Sequence, residues 1–176
     1  MAIECFEIKW TKTYPFDKAL LQPEAKRGGV YALFKGEVKK PHYIGKATRF
    51  DNRLSKHKRS IFRMMNEAER KKCYISFGIV SSFEISHMTD VVTDTQLSSI
   101  ENFLIMRLQP IGNGDSTKKR YTGKLPMIIA NTGNVFNGLN KFMSQNNELL
   151  QVLGKTTKSK STSSSNRDDY APVWRF

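Results

Sequence analysis

Cysteine is scarce in this chain: Cys5 and Cys73 are the only two among 176 residues, with no CxxC pair and no metal-ligand spacing. That argues against a disulfide framework and a thiolate zinc centre, and two lone thiols fit an intracellular protein in which both stay free. Long hydrophobic runs are missing as well. No stretch approaches the roughly 18 apolar residues that span a bilayer. The start, Met1-Ala2-Ile3-Glu4-Cys5, has no charged region leading into an apolar run, so no secretion signal is expected. A soluble, cytoplasmic protein with no membrane association is the expectation. There is no internal repeat and no clear helix-turn-helix. Negative charge is also in short supply, with 16 Asp and Glu against 29 Lys and Arg and a formal charge of +13.

What is present fills that frame. Apolar residues make up 39% of the chain and aromatics 11%, enough at this length for one core with appendages. The positive charge is concentrated: between Lys35 and Lys72, thirteen Lys and Arg stand against four Asp and Glu, an excess of nine in 38 residues. Solubility is served by mixed signs, so a one-signed segment of that density reads as an electrostatic footprint for a polyanion, with nucleic acid the expected one.

Phe6-Glu7-Ile8-Lys9-Trp10 alternates apolar and polar residues, the pattern of a half-buried strand. A short helical piece over Phe16 to Leu21 ends before Pro23. After Gly28-Gly29, Val30 to Phe34 predicts a central strand, and His42 to Ala47 the strand that returns across a charged turn. From Phe50 the period changes. Phe50, Leu54, His57, Ile61, Met65 and Ala68 recur every three or four residues and predict an amphipathic helix. Tyr74 to Val80 predicts a strand that continues loosely to Ile85, and Gln96 to Leu108 a second helix stopped by Pro110 and Gly112. Leu125 to Ala130 reads as strand or helix, and Val135 to Leu153 as mostly helical. The Ser/Thr/Lys-rich stretch from Lys155 to Asn166 reads as a linker. The expected division is an N-terminal extension over 1–27, a central module over 28–115, a mostly helical extension over 116–154 and a flexible tail over 155–176.

Two short phrases, Gly29-Val30-Tyr31 and Tyr43-Ile44-Gly45, set tyrosines twelve residues apart on neighbouring strands. Arg53 and His57 follow one helical turn apart, on the same face and at the edge of the apolar stripe. An Arg fork matches two phosphate oxygens, whereas a plain surface Arg and a satisfied core His are the bland alternatives. Glu101 is the sharpest single observation. Leu97, Leu104, Ile105 and Leu108 are its neighbours on one helical face, and a carboxylate there is costly to bury unless ion-paired or metal-bound. Spacing alone leaves both open. A hard cation such as Mg²⁺ keeps several waters, so one carboxylate plus substrate phosphate oxygens suffices to hold it. A tyrosine base has to overcome a pKa of about 10, which leaves on the order of one in a thousand ionised at neutral pH. A cation nearby (Lys46, Arg53 or the metal) is expected to lower that value.

Taken together these residues resemble the GIY-YIG nuclease family. Gly29-Val30-Tyr31 carries the common Val for Ile, and Tyr43-Ile44-Gly45 matches letter for letter. Arg53 meets the arginine about ten residues after the second tyrosine, and His57 the histidine or tyrosine one turn later. Glu101 meets the metal-binding glutamate on a later helix, and Asn113 behind Pro110 the asparagine that closes the module. The likeness covers about Gly28 to Asn113, and five short motifs in the right order are far more specific than any one of them. It implies an α/β (α+β) module with a small three-stranded antiparallel sheet flanked by helices, here with N- and C-terminal extensions. It also implies cleavage of DNA with one divalent ion, Mg²⁺ or Mn²⁺, per active site. Carried onto this chain, Tyr31 becomes the candidate general base, relayed through His57. Tyr43 positions substrate or water, Arg53 stabilises phosphoryl charge and Glu101 holds the metal. Lys46 becomes a phosphate contact or pKa modulator, and Asn113 a buttress.

The leading expectation is therefore a metal-dependent DNA endonuclease, a hydrolase acting on double-stranded DNA. The short extensions favour a stand-alone restriction-type enzyme, for which a homodimer is the natural way to cut both strands. A repair or structure-selective nuclease and a non-cleaving DNA-binding protein on the same scaffold are the rivals. Lys46, Arg49, Lys56, Lys58, Arg59, Arg63, Lys118, Lys119 and Arg120 are the candidate DNA contacts. RNA is the weaker substrate reading, since no feature reads a 2′-hydroxyl.

Overall fold

The computed structural model describes residues 3–36, 40–60, 65–84, 87–89, 92–118, 126–145 and 150–151. The expected tail over 155–176 lies outside them. In chain order the elements are β1 (Glu4–Trp10), β2 (Tyr14–Pro15), α1 (Phe16–Ala19), a 3₁₀ turn (Pro23–Lys26), β3 (Gly29–Lys35), β4 (Tyr43–Ala47) and α2 (Phe50–Ser60). They continue with α3 (Glu67–Lys71), β5 (Cys73–Glu84), β6 (His87–Thr89), α4 (Asp94–Leu108), a 3₁₀ segment (Ile111–Lys118), β7 (Met127–Gly133) and β8 (Phe142–Ser144).

The sheet is larger than the three strands expected. Among the described residues it has eight, in the order β4-β3-β5-β1-β7-β8, with the short β2 and β6 also paired to β5. The antiparallel trio β4-β3-β5 is there, but both extensions add to it. The physical reason lies in β5, which at twelve residues runs on past its pairing with β3 and offers its opposite edge over Gly78 to Phe83 to another strand. An open edge is a row of unpaired N–H and C=O groups, and β1 covers it in antiparallel register from Cys5–Phe83 to Trp10–Gly78. β7 then pairs with β1 in parallel, and β8 with β7 antiparallel. In the C-terminal extension, expected to be mostly helical, the regular elements described over 126–145 are the strands β7 and β8. A buried bond from Trp10 Nε1 to Asn131 Oδ1 at 3.0 Å ties β1 to β7.

Helices cover the central strands on both faces, which explains why β3 is apolar at every step rather than alternating. Val30, Ala32 and Phe34 join Ile100, Phe103, Leu104 and Trp10 in one core under α4. Tyr31 and Leu33 point the other way, into a second core with Phe16, Ala25, Phe50, Leu54 and Phe77. Phe50 stacks on Phe77 with ring centroids 4.7 Å apart. The helix predicted from Phe50 to Ala68 is described as α2 to Ser60, and a separate α3 begins at Glu67. Asn66 starts α3 with a capping box, its side chain taking the Glu69 N–H while Glu69 reaches back to Asn66 N. A local cap overrides the continuing period. α4 carries the same device, with Thr93 and Gln96, and ends at Gln109 in the left-handed conformation ahead of Pro110. Among the described residues no helix is long and apolar enough to cross a membrane.

Candidate active site

β4 is an edge strand, and its outward groups are taken by side chains rather than by another strand. Asn113 clamps Ile44 twice: its Oδ1 accepts from Ile44 N at 2.9 Å and its Nδ2 donates to Ile44 O at 2.9 Å. Two residues along the same edge, Lys46 N donates to Glu101 Oε1 at 3.0 Å. The edge is thereby protected and two candidate residues are fixed by it.

On the α2 face, Tyr31 of β3 lies opposite Gly45 of β4, and Tyr43 lies opposite Leu33. The two tyrosines are therefore diagonal neighbours, with ring centroids 6.1 Å apart. A Cβ at Gly45 would come within 2.4 Å of Tyr31 Oη and 2.8 Å of Tyr43 Cε1, so the glycine is what lets both phenols lie over the strand. The glycine of the first phrase has its own reason. Gly29 has φ +146, and a Cβ there would meet Gly78 O at 2.2 Å.

His57 packs over both tyrosines, with ring centroids 5.8 Å from Tyr31 and 5.6 Å from Tyr43. Its Nε2 lies 2.5 Å from Tyr31 Oη. Arg53, one turn earlier and exposed as a residue, donates from Nε to the same oxygen over a longer 3.4 Å and also interacts with Tyr43. In the imidazole tautomer with its proton on Nδ1, the phenol donates to Nε2 while its oxygen accepts from Arg53. The charge states agree. Burial, with the Arg53 charge beside it, lowers the His57 pKa to about 4, so the imidazole is neutral at pH 7 and one of its ring nitrogens is an acceptor. Tyr31 is fully buried, and burial pushes its phenol well above the ordinary value, more than the bond from Arg53 brings it down. Arg53 lowers the Tyr31 pKa, as expected of a nearby cation, but burial is the larger effect and the net shift is upward. In a fully buried phenol, loss of hydration outweighs one long hydrogen bond. In return, the bond to Tyr31 raises the Arg53 guanidinium further.

Glu101 approaches from α4, half-buried between Leu97, Leu104 and Ile105. Burial raises its pKa, opposed chiefly by the Lys46 N–H. Among the described residues it makes no ion pair, so the salt bridge that spacing left open is absent there. Its charge acts on Tyr31, and that of Arg53 acts on it, which puts the carboxylate in one electrostatic field with the α2 group.

The Lys46 ammonium is held, not free. It donates to Asp94 Oδ1 at 2.7 Å and Ser98 Oγ at 2.7 Å, and lies 3.3 Å from Asp94 O. Sequence reading missed Asp94 and Ser98, although their spacing to Glu101 is the i, i+4, i+7 signature of one helical face. Among the other candidate DNA contacts, Arg49 is paired bidentately with Asp51 at 2.7 and 3.2 Å. Lys56 and Lys58 are exposed on α2. The side chains of Arg59 and Lys118, and the whole of Arg63, Lys119 and Arg120, lie outside what is described.

No protein-family model and no curated protein matches this chain. Among solved structures it is similar to three point mutants of the GIY-YIG N-terminal endonuclease domain of UvrC from Thermotoga maritima, each bound to its catalytic divalent cation. Identity is 24, 23 and 25%, with TM-scores of 0.34, 0.34 and 0.33. The first two likenesses span 56% of this chain and 93% of the other, the third 55% and 92%. At such TM-scores no residue role transfers, and the site rests on its own geometry.

Proposed function

We propose that this chain is a divalent-cation-dependent DNA endonuclease that hydrolyses phosphodiester bonds. The observation that carries the reading is the Tyr31–His57 pair at 2.5 Å, capped by Arg53 and sharing its field with an un-ion-paired Glu101. Buried and neutral, that pair is a proton path. As an attacking water gives a proton to Tyr31 Oη, the phenolic proton moves to His57 Nε2, and no tyrosinate has to form in the resting protein. Arg53 covers the phenol with a long, weak bond, which a phosphate replaces readily. Its turning to the phosphate uncovers Tyr31 and neutralises charge on the phosphoryl oxygens in one movement. Tyr43, half-buried beside the relay, aligns the water or phosphate.

Glu101 fits a metal ligand. It is a desolvated carboxylate without a cation partner among the described residues, where no three His, Cys, Asp or Glu side chains gather. One carboxylate with room for waters and phosphate oxygens suits Mg²⁺ or Mn²⁺ and not the closed donor set of Zn²⁺. Bound there, the ion supplies positive charge against the phosphate and the leaving oxygen. Supercoiled plasmid with Mg²⁺ or with EDTA tests the activity. Nicking only with the metal is expected, whereas binding without nicking identifies a non-cleaving DNA-binding protein. Sequencing the ends from mixed DNA decides the rest, since discrete ends mean site specificity and scattered ends a repair or degradative role.

A further inference from the structure

We infer that Asp94 and Ser98 are positioning residues for Glu101 and that Lys46 acts through them as the pin of that arrangement, not as a phosphate contact. The inference rests on the proposed nuclease reading for its functional meaning and on geometry for its content. α4 grips a single residue of the edge strand twice. Its first turns hold the Lys46 side chain through Asp94 Oδ1 and Ser98 Oγ, both at 2.7 Å, and Ser98 Oγ also donates to Asp94 O at 2.8 Å. One turn further on, Glu101 Oε1 takes the Lys46 backbone N–H at 3.0 Å. Asp94, Ser98 and Glu101 form a polar ladder along one side of the helix, and all three rungs end on Lys46.

The ladder answers a structural need. Glu101 sits among leucines and isoleucines, and among the described residues a single bond to a neutral amide, Lys46 N, is its one polar tie to β4. An ammonium held at three points fixes α4 against that strand and leaves Glu101 Oε2 with no bonded partner among the described residues. The Lys46 side chain is only 25% exposed, whereas Asp94 is 69% exposed. Its charge is thus spent on the helix, while the exposed Arg53 is left for phosphate.

Three measurements on the whole chain test this, using Lys46→Met, the pair Asp94→Ala with Ser98→Ala, and Asp94→Asn, which keeps an acceptor oxygen. In metal-free protein, Lys46→Met and the paired variant are expected to speed hydrogen exchange of the residue 46 amide at least tenfold, with Asp94→Asn close to wild type. Mn²⁺ without DNA is expected to bind those two variants at least tenfold more weakly, the scale of outer-shell support for a metal ligand. DNA binding in EDTA is expected to keep its salt dependence in all of them. Unchanged amide exchange and Mn²⁺ affinity overturn the inference. So does a fall of about 0.9 in the salt slope for Lys46→Met, the mark of one lost phosphate contact. If wild type binds no Mn²⁺, the nuclease reading fails, and amide exchange still judges the ladder.

Discussion

The two sides of the edge strand β4 hold polar groups in opposite ways. On the α2 side, Tyr31, His57 and Arg53 bond to one another, and burial keeps the phenol and imidazole neutral. On the α4 side, Glu101 bonds to a backbone amide, and burial makes its charge expensive with no ion pair among the described residues. The first arrangement suits a proton relay, because a phenol that takes one proton as it gives another never has to become a tyrosinate. The second invites a cation, because only a positive charge offsets a desolvated carboxylate. A phosphodiester needs both services, and the thin edge of the sheet brings them together.

Removing the cation side entirely is expected to have the largest effect. Glu101→Ala abolishes plasmid cleavage while DNA affinity in EDTA stays within a few-fold. Mg²⁺-dependent nicking by that variant would show that the carboxylate is not the metal ligand. On the proton side, Tyr31→Phe and Arg53→Ala each lower the single-turnover rate about a hundredfold or more, the usual scale for proton transfer and charge stabilisation. Near-wild-type rates for both would sink the relay.

The pH dependence of stability separates the two sides next. His57 has a folded-state pKa of about 4 against an ordinary 6.5, so between those values the unfolded chain binds the extra proton. Stability therefore rises with pH across that window and is lost as pH falls through it, by about 3 kcal/mol at most. Urea unfolding from pH 4 to pH 7 is expected to show that slope in wild type and a shallower one in His57→Gln; equal slopes would mean that the imidazole is not buried neutral. The smallest effect concerns the strand itself. Asn113→Ala leaves both polar groups of Ile44 without their clamp and is expected to cost about 1–2 kcal/mol in the same assay. No change there would show that water replaces the clamp freely.

Much of the α2 side was readable in advance because it depends on short-range periods. Strand patterning put Tyr31 and Tyr43 on neighbouring strands of a hairpin, and a four-residue step put Arg53 and His57 on one face of a helix. The α4 side was readable only in part. Glu101 betrayed itself by interrupting an apolar stripe, but its partner could not be named, because a backbone amide leaves no trace in residue type. Lys46 looked like any lysine in a basic segment, and the acceptors of its charge lie 48 and 52 positions away. The size of the sheet was missed for a related reason. Phe6 to Trp10 was read correctly as a half-buried strand, yet nothing local says that it lies between β5 and β7.

The sequence by itself determined which chemistry this chain carries and which groups share an element, since both follow from side-chain type and the fixed repeats of helix and strand. Only the tertiary structure decided charge states and partners. The same phenol that a nearby arginine would activate in water is held neutral when the core removes its hydration. Whether a lysine meets a phosphate or a helix depends on where α4 crosses the edge of β4.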